Sequence, residues 1–454
     1  MARLAGIRTG TAVSPEARAG IRDHTDRMTT DAAPARAETT HGRLGLAQGV
    51  ALYIASVLGT GLLVLPGLAA EVAGPASLVS VAIVILLAVP LAGTFAVLSA
   101  RYPDPCGVAS YVRRALGGTA ARATGYWFYF GVAAGFPVLA ILGGEYITAV
   151  TGADRIAVPI IAFAILVPPF AVNMLGLRTA GWVQFVLTGL LIGIVVLVVS
   201  AALPASDASR FTPFLPYGWG GVGTAVSLFV WAFAGWEVGT HISGEFRDPR
   251  RTIPAATAIA LVVTGVAYLL LQVATVGVLG DAAGDSAVPL LALADAVAPG
   301  TGPIIVGAVA GIVIVGVANS YLAAFGKLGA SLAVTGDLPR WLAPGAEAGG
   351  VPRRALLLTF AIALAYTAIA FAAGGDTGAF ILIHTSNMVA IYTAGMIAAL
   401  LILPRGTAGW WMALVAAILS AGLLVLAGAN LLPAALLAAA AIAVTAWRRL
   451  RRSR

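Results

Sequence analysis

The chain has 454 residues, 60% of them hydrophobic and only 10% charged, with a mean hydropathy of +0.96 and a formal net charge of +8. Soluble domains carry about 25% charged residues, so this composition excludes a soluble globular protein and predicts a bundle of membrane-spanning helices. The positive balance does not imply nucleic acid, because the basic residues are scattered over many loops, and a single cysteine excludes an intrachain disulfide or a thiolate metal cluster.

Residues 1–44 are rich in Arg, Ala, Thr and Asp and contain no apolar core segment. They read as a disordered cytoplasmic tail rather than a signal peptide, with Met28 as an alternative start. Apolar stretches of about 20 residues then predict membrane helices near 46–73, 77–100, 124–150, 156–175, 180–203, 222–245, 253–280, 303–334, 355–374, 377–403, 409–428 and 431–447. The expected fold class is an all-α polytopic membrane protein of about 12 transmembrane helices. Its transmembrane domain covers 45–447, and 448–454 form a basic cytoplasmic tail. The histidines His24, His41, His241 and His384 lie far apart, so no metal and no cofactor are expected.

Inside the first span the apolar run is interrupted by Gly59-Thr60-Gly61. Gly costs about 1 kcal/mol relative to Ala in a helix interior, and backbone groups freed in lipid must find partners inside the protein. Arg101, Arg113, Arg114 and Arg122 follow span 2, Arg178 follows span 4, and Arg247, Arg250 and Arg251 follow span 6. Arg340, Arg353 and Arg354 follow span 8, Arg405 follows span 10, and Arg448 to Arg454 close the chain. The opposite loops carry only Arg155 and Arg210, beside Asp154, Asp207, Asp281, Asp285, Asp295 and Asp376. This asymmetry predicts that both termini face the cytoplasm.

Span 6 holds a second interruption, Phe233-Ala234-Gly235-Trp236-Glu237. Spans 1 and 6 are five helices apart and so cross the membrane in opposite directions, as an inverted repeat requires. The repeats are expected over about 46–203 and 222–403, with extra helices over 409–447. Paired helix breaks point to a site near the membrane midplane. Helix N–H groups after Gly61 carry partial positive charge and suit a carboxylate; carbonyls before Gly59 and Gly235 suit an ammonium group. With the Ser56 and Thr60 hydroxyls nearby, the site fits a zwitterionic amino acid, and Phe233 and Trp236 are placed to cover its apolar side chain.

GVALYIASVLGTGLLVLPGLAAEVAGPAS resembles the first helix of the amino acid–polyamine–organocation superfamily, and RYPDPCGVASYVRRALG its loop after helix 2. FAGWE with EFRDPRRTIPAA resembles its helix 6 and following loop, and FGKLGASLAVTGDLPRWL with VPRRA resembles the end of helix 8 and its loop. The likeness covers about 44–405. Within the superfamily, LGLAQGVALYIASVLGTGLLVLPGLAA and THISGEFRDP look most like the bacterial exporters of methionine and branched-chain amino acids. The resemblance implies the inverted-repeat fold of the bacterial leucine transporter, with two appended helices. It also implies a plasma-membrane location and ion-driven efflux of neutral apolar amino acids. It places the glycine motif on Gly59, Thr60 and Gly61, with Ser56 one turn earlier, the unwound part of helix 6 on Phe233, Ala234 and Gly235, and the following acid on Glu237. Members with a lysine in helix 5 use it in place of sodium; span 5 here has none, and Gln184 is its main polar residue.

Glu237 is the first candidate for coupling or gating, because an acid at membrane depth must be protonated, paired or hydrated; a structural acid that locks the helix break is the alternative. His241, at i+4 from Glu237, is expected to pair with it, as a helix lock or a proton relay. Lys327 is expected near the cytoplasmic end of span 8, snorkelling to the interface or acting in coupling. Glu71 and Glu145 read as interfacial, and His384 as packed or bonded to a carbonyl. Pro254 suits the start of span 7. Arg113, Arg114 and Tyr111 lie on a short loop helix suited to gating or surface anchoring. The function expected is exchange of neutral apolar amino acids against protons, with sodium coupling, import, or a non-transporting sensor as alternatives. No nucleophile–base cluster at membrane depth supports an enzyme, and no ring of like side chains supports a channel.

Overall fold

The computed structural model describes residues 44–452, apart from residue 60, residues 233–234, residues 285–288 and residue 376. The expected N-terminal tail up to residue 43, Thr60, Phe233 and Ala234 lie outside the described residues. The first segment is two helices, α1 (Leu46–Leu58) and α2 (Gly61–Ala73), interrupted at Gly59. Gly59 has φ 28° and ψ −160°, a conformation that a Cβ would strain. After α3 (Ser77–Arg101) come the short loop helix α4 (Val108–Leu116) and α5 (Gly118–Tyr126).

The third segment was expected as one span, but it changes pitch. A π-helical turn over Trp127–Gly131 and a 3₁₀ turn over Val132–Ala134 precede α6 (Gly135–Thr151). The segment is closely packed here. A Cβ on Gly131 would lie 2.1 Å from the Asn387 side chain, and one on Gly135 would lie 2.8 Å from the His384 ring. The fourth segment divides at Leu166 into α7 (Ala157–Ile165) and α8 (Val167–Met174), where Pro168 sits at the start of α8, the position proline tolerates best. α9 (Leu177–Ala202) completes the first half.

The sixth segment is α10 (Gly218–Ala232) and a single turn, α11 (Val238–His241). α12 (Pro249–Leu279) begins after Asp248, so Pro254 lies inside the helix rather than at its start. The proline that initiates it is Pro249. α13 (Pro289–Val297), α14 (Gly302–Val334), α15 (Arg353–Ala372), α16 (Gly378–Ile402), α17 (Ala408–Ala427) and α18 (Leu432–Arg452) follow. At 33 residues, α14 is about 50 Å long and outreaches a bilayer's hydrocarbon core.

Ten stretches among the described residues are long and apolar enough to cross a membrane. The two expected spans that this length rule does not recover whole are the broken ones, the first and the sixth. Corresponding segments of the two halves pack on each other, α3 on α12 and α6 on α14, while α17 and α18 attach outside, on α3 and α5 respectively. Both described ends meet at one face. Leu44 exchanges backbone hydrogen bonds with Glu245 and Arg247, and Arg448 reaches Gly336 and Asp337. This is the terminal face.

Candidate functional site

At the two breaks the backbones touch. Gly235 has φ 121°, and a Cβ there would lie 2.5 Å from the Ser56 carbonyl oxygen, so only glycine lets the sixth segment cross the first this closely. The Gly235 N–H donates to Glu237 Oε2 (3.1 Å) and to the Tyr392 hydroxyl (3.1 Å), and that hydroxyl donates to the same Oε2 at 2.6 Å. Glu237 is fully buried, and its Oε1 has no partner among the described residues. The acid thus ties the break of the sixth segment to α16.

Beside this joint lies a cavity with an empty volume of about 720 Å³, part of it open to solvent. Ser56, Val57, Gly59 and Gly61 line one wall. The irregular third segment supplies Val132, Gly135, Phe136, Val138 and Leu139, α14 supplies Val317, Ala318, Tyr321 and Phe325, and α16 supplies Ile381 and His384. No charged side chain stands among these residues. Their polar groups are partly committed: Ser56 Oγ donates to the Leu52 carbonyl (2.8 Å), and His384 Nδ1 lies 2.9 Å from the Val132 carbonyl oxygen. The lining extends toward the face opposite the termini, where Ile381 stands in the first turn of α16. Toward the terminal face it ends at Phe325, whose ring packs on Phe136 (5.5 Å between centroids) and Phe128 (4.9 Å).

Three expected residues lie elsewhere. Trp236 does not line the cavity; its ring is buried beside Tyr53, 6.4 Å between centroids. His241 does not pair with Glu237. The i, i+4 relation needs a continuous helix, yet α11 starts only after Glu237, whose carboxylate turns back to Gly235. The His241 ring instead packs on Phe128 (4.2 Å), with Nδ1 3.4 Å from the Pro105 carbonyl oxygen.

Lys327 does not snorkel. Its Nζ is fully buried, 2.6 Å from Glu245 Oε1, and donates to the Gly345 (3.1 Å) and Glu347 (2.8 Å) carbonyls. Glu245 Oε2 accepts the Gly349 N–H at 2.9 Å. Gln184, the main polar residue of the fifth segment, joins three segments: its Oε1 accepts from Asn319 (3.0 Å), and its Nε2 donates to Thr188, which donates to the Ala51 carbonyl. Cys106, in the loop before α4, sits 3.0 Å from Ser331 Oγ; burial, then Asp104 nearby, pushes its thiol up to about 12, so it stays protonated.

The family model described as amino acid permease matches residues 44–446. The chain belongs to the amino acid permease family. The permease is 29% identical over 397 residues to the uncharacterized amino acid permease YecA of Bacillus subtilis, covering 87% of this chain and 93% of that one. It is 31% identical over 233 residues to the L-methionine/branched-chain amino acid exporter YjeH of Escherichia coli, covering 50% and 54% of the two chains. Among solved structures it resembles MhsT in complex with L-phenylalanine, with a TM-score of 0.62, 16% identity, and coverage of 86% of the permease and 99% of MhsT. The permease is therefore a multi-pass amino acid transporter of the amino acid–polyamine–organocation superfamily, with the inverted-repeat leucine-transporter fold.

Tyr392, Glu245 and most of the cavity's apolar lining escaped the sequence reading. Tyr392 is a lone tyrosine in the apolar run MVAIYTAG, and its spacing carries no sign of a partner 155 positions away. Glu245 stood in a recognised loop motif but was not singled out beside Arg247, Arg250 and Arg251. The small pair Gly131 and Gly135 was the readable signal for the close third-to-tenth contact.

Proposed function

We propose that the permease is a secondary transporter that exports neutral apolar amino acids in exchange for protons across the bacterial plasma membrane, with both termini cytoplasmic. One observation carries the substrate class: a cavity at the crossing of two broken helices whose described lining holds no charged side chain. Paired helix breaks of this kind mark the substrate site of inverted-repeat transporters, and a charged substrate side chain would find no counter-ion in the described lining. The substrate's carboxylate meets the first N–H groups of α2, and its ammonium meets carbonyls at the end of α1. The likeness to YjeH over half the chain supports methionine, leucine, isoleucine and valine as substrates, and export as the direction. The arginine-rich loops at the terminal face support its cytoplasmic placement.

The test is counterflow and gradient-driven transport in proteoliposomes, with a panel of amino acids under imposed proton or sodium gradients. Labelled methionine or leucine should exchange and respond to the proton gradient, whereas lysine and glutamate should not. Binding without counterflow would make the protein a sensor, and movement only under a sodium gradient would overturn proton exchange.

Two variants sharpen this reading. Glu237→Gln keeps the shape and the Tyr392 contact but cannot exchange a proton, so transport should lose its pH dependence while the protein stays folded. A pH profile matching the unmodified permease would remove Glu237 from coupling. Leu139→Trp fills the cavity beside the third segment; transport of leucine and methionine should fall by about tenfold or more, on the scale of discrimination by one or two methylenes, with alanine less affected. Equal loss for all three would show that Leu139 does not bound the side-chain pocket.

A further inference from the structure

Asp337 lies in the turn after α14 at the terminal face, with its carboxylate fully shielded from solvent. Three arginines from three elements converge on it. Arg113 of α4 donates through Nη2 to Oδ2 at 2.9 Å, and Arg122 of α5 through Nε to Oδ1 at 2.7 Å. Arg448 of α18 holds Nη1 3.7 Å from Oδ1 and donates through Nη2 to the Gly336 carbonyl. Thr335 also donates to Oδ2, and Arg122 reaches Thr445 of α18. Arg114 stands next along α4, stacked over Tyr102 at 4.7 Å.

The charges do not balance. Asp104 is near enough to act electrostatically on Arg113 and Arg114 but forms no ion pair with them. Four arginines against Asp104 and Asp337 leave two positive charges in excess. Arg122 is nearly saturated, with its side chain 9% exposed; Arg113 and Arg448 keep 34% and 33% of theirs open. Arg113 spends Nη2 on Asp337, and Arg448 turns Nη1 and Nη2 to Asp337 and Gly336; both side chains stay part-exposed, and a part-exposed guanidinium suits the oxygens of a phosphate.

The place selects which phosphate. The cluster sits where α18 leaves the bundle. That helix is the least buried of the ten apolar stretches among the described residues, with Leu436, Ile442, Trp447 and Leu450 exposed along it. Exposed Leu436 and Ile442, then Trp447, precede Arg448 along α18, the order in which acyl chain, interface and headgroup follow one another in a leaflet, and Leu450 lies beyond them. We propose that Arg113 and Arg448 bind the phosphate of an anionic phospholipid, which docks against α18 and neutralises the excess charge around Asp337.

The test is native mass spectrometry of the full-length permease offered phosphatidylglycerol and phosphatidylcholine in detergent. The unmodified protein should retain phosphatidylglycerol preferentially. Arg113→Gln with Arg448→Gln should cut that preference by about tenfold or more, as expected for two interfacial charges, while Asp337 keeps Arg122. Arg405→Gln, which removes a charge from the loop between α16 and α17, should leave it intact. If the double variant fails to fold, Arg113→Lys with Arg448→Lys keeps the charge but loses the fork; it should show a reduced preference. Undiminished phosphatidylglycerol retention in whichever double variant folds overturns the proposal. So does a rise in thermal midpoint with inorganic phosphate and none with phosphatidylglycerol, which would mark a site for the free ion.

Discussion

Lys327→Met should destabilise the permease by about 3–5 kcal/mol, the usual consequence of removing one partner from a buried ion pair. The ammonium has three donors and three acceptors around it: Glu245 Oε1, the Gly345 carbonyl and the Glu347 carbonyl. Take the lysine away and Glu245 remains a buried carboxylate held by one N–H, that of Gly349, while two loop carbonyls lose their donor. The double variant Lys327→Met with Glu245→Leu should recover most of the loss, because replacing both partners by apolar groups removes the uncompensated charge. Denaturation in detergent measures both variants. A Lys327→Met protein as stable as the unmodified one would show that the pair adds nothing to closure of the terminal face.

Gly235→Ala should abolish most transport while leaving much of the bundle folded. At φ 121° an L-residue is strained by about 1–3 kcal/mol, and its Cβ would meet the Ser56 carbonyl oxygen at 2.5 Å and the carbonyl carbon at 2.9 Å. Those atoms belong to the α1 backbone and cannot turn aside as a side chain would. Relief requires the two broken segments to separate, which moves Ser56 away from the cavity wall it forms and pulls Gly235 from Glu237 and Tyr392. A rise of about 1.4 kcal/mol in a barrier is tenfold in rate, so counterflow should drop by about tenfold or more. Gly223→Ala, on α10 with nothing within 4 Å of the added methyl, is the control and should transport normally. Normal counterflow in Gly235→Ala would show that the close crossing is not needed for transport.

Much of this architecture was legible because lipid imposes few solutions. Apolar runs of spanning length located the membrane segments, and glycines in otherwise unbroken apolar sequence located the breaks at Gly59 and Gly235. Arginine placement led to the expectation that both termini face the cytoplasm, and the two described ends lie at one face. What escaped was every feature that depends on tertiary pairing. Nothing near Tyr392 announces Glu237, and the carbonyls that receive Lys327 lie in a loop with no periodicity at all. The Glu237–His241 pairing failed for a local reason: the same glycine that breaks the helix also removes the register on which an i, i+4 contact depends. Trp236 was assigned to the cavity by proximity in sequence, but the turn after Gly235 sends its ring to Tyr53 instead.

A short parallel bridge between Leu44 and Phe246 joins the stretch before α1 to the stretch before α12, 202 positions on in sequence. Leu44 donates to the Glu245 carbonyl at 2.9 Å and accepts from Arg247 N–H at 3.1 Å, while the Phe246 ring presses on Gly49 in the first turn of α1. The residue between those two hydrogen bonds' anchors is flanked by Glu245, the partner of Lys327. One ion pair therefore reaches two segments: through Glu245, Lys327 is tied both to the exit of the sixth segment and, by the Leu44 hydrogen bonds, to the root of the first.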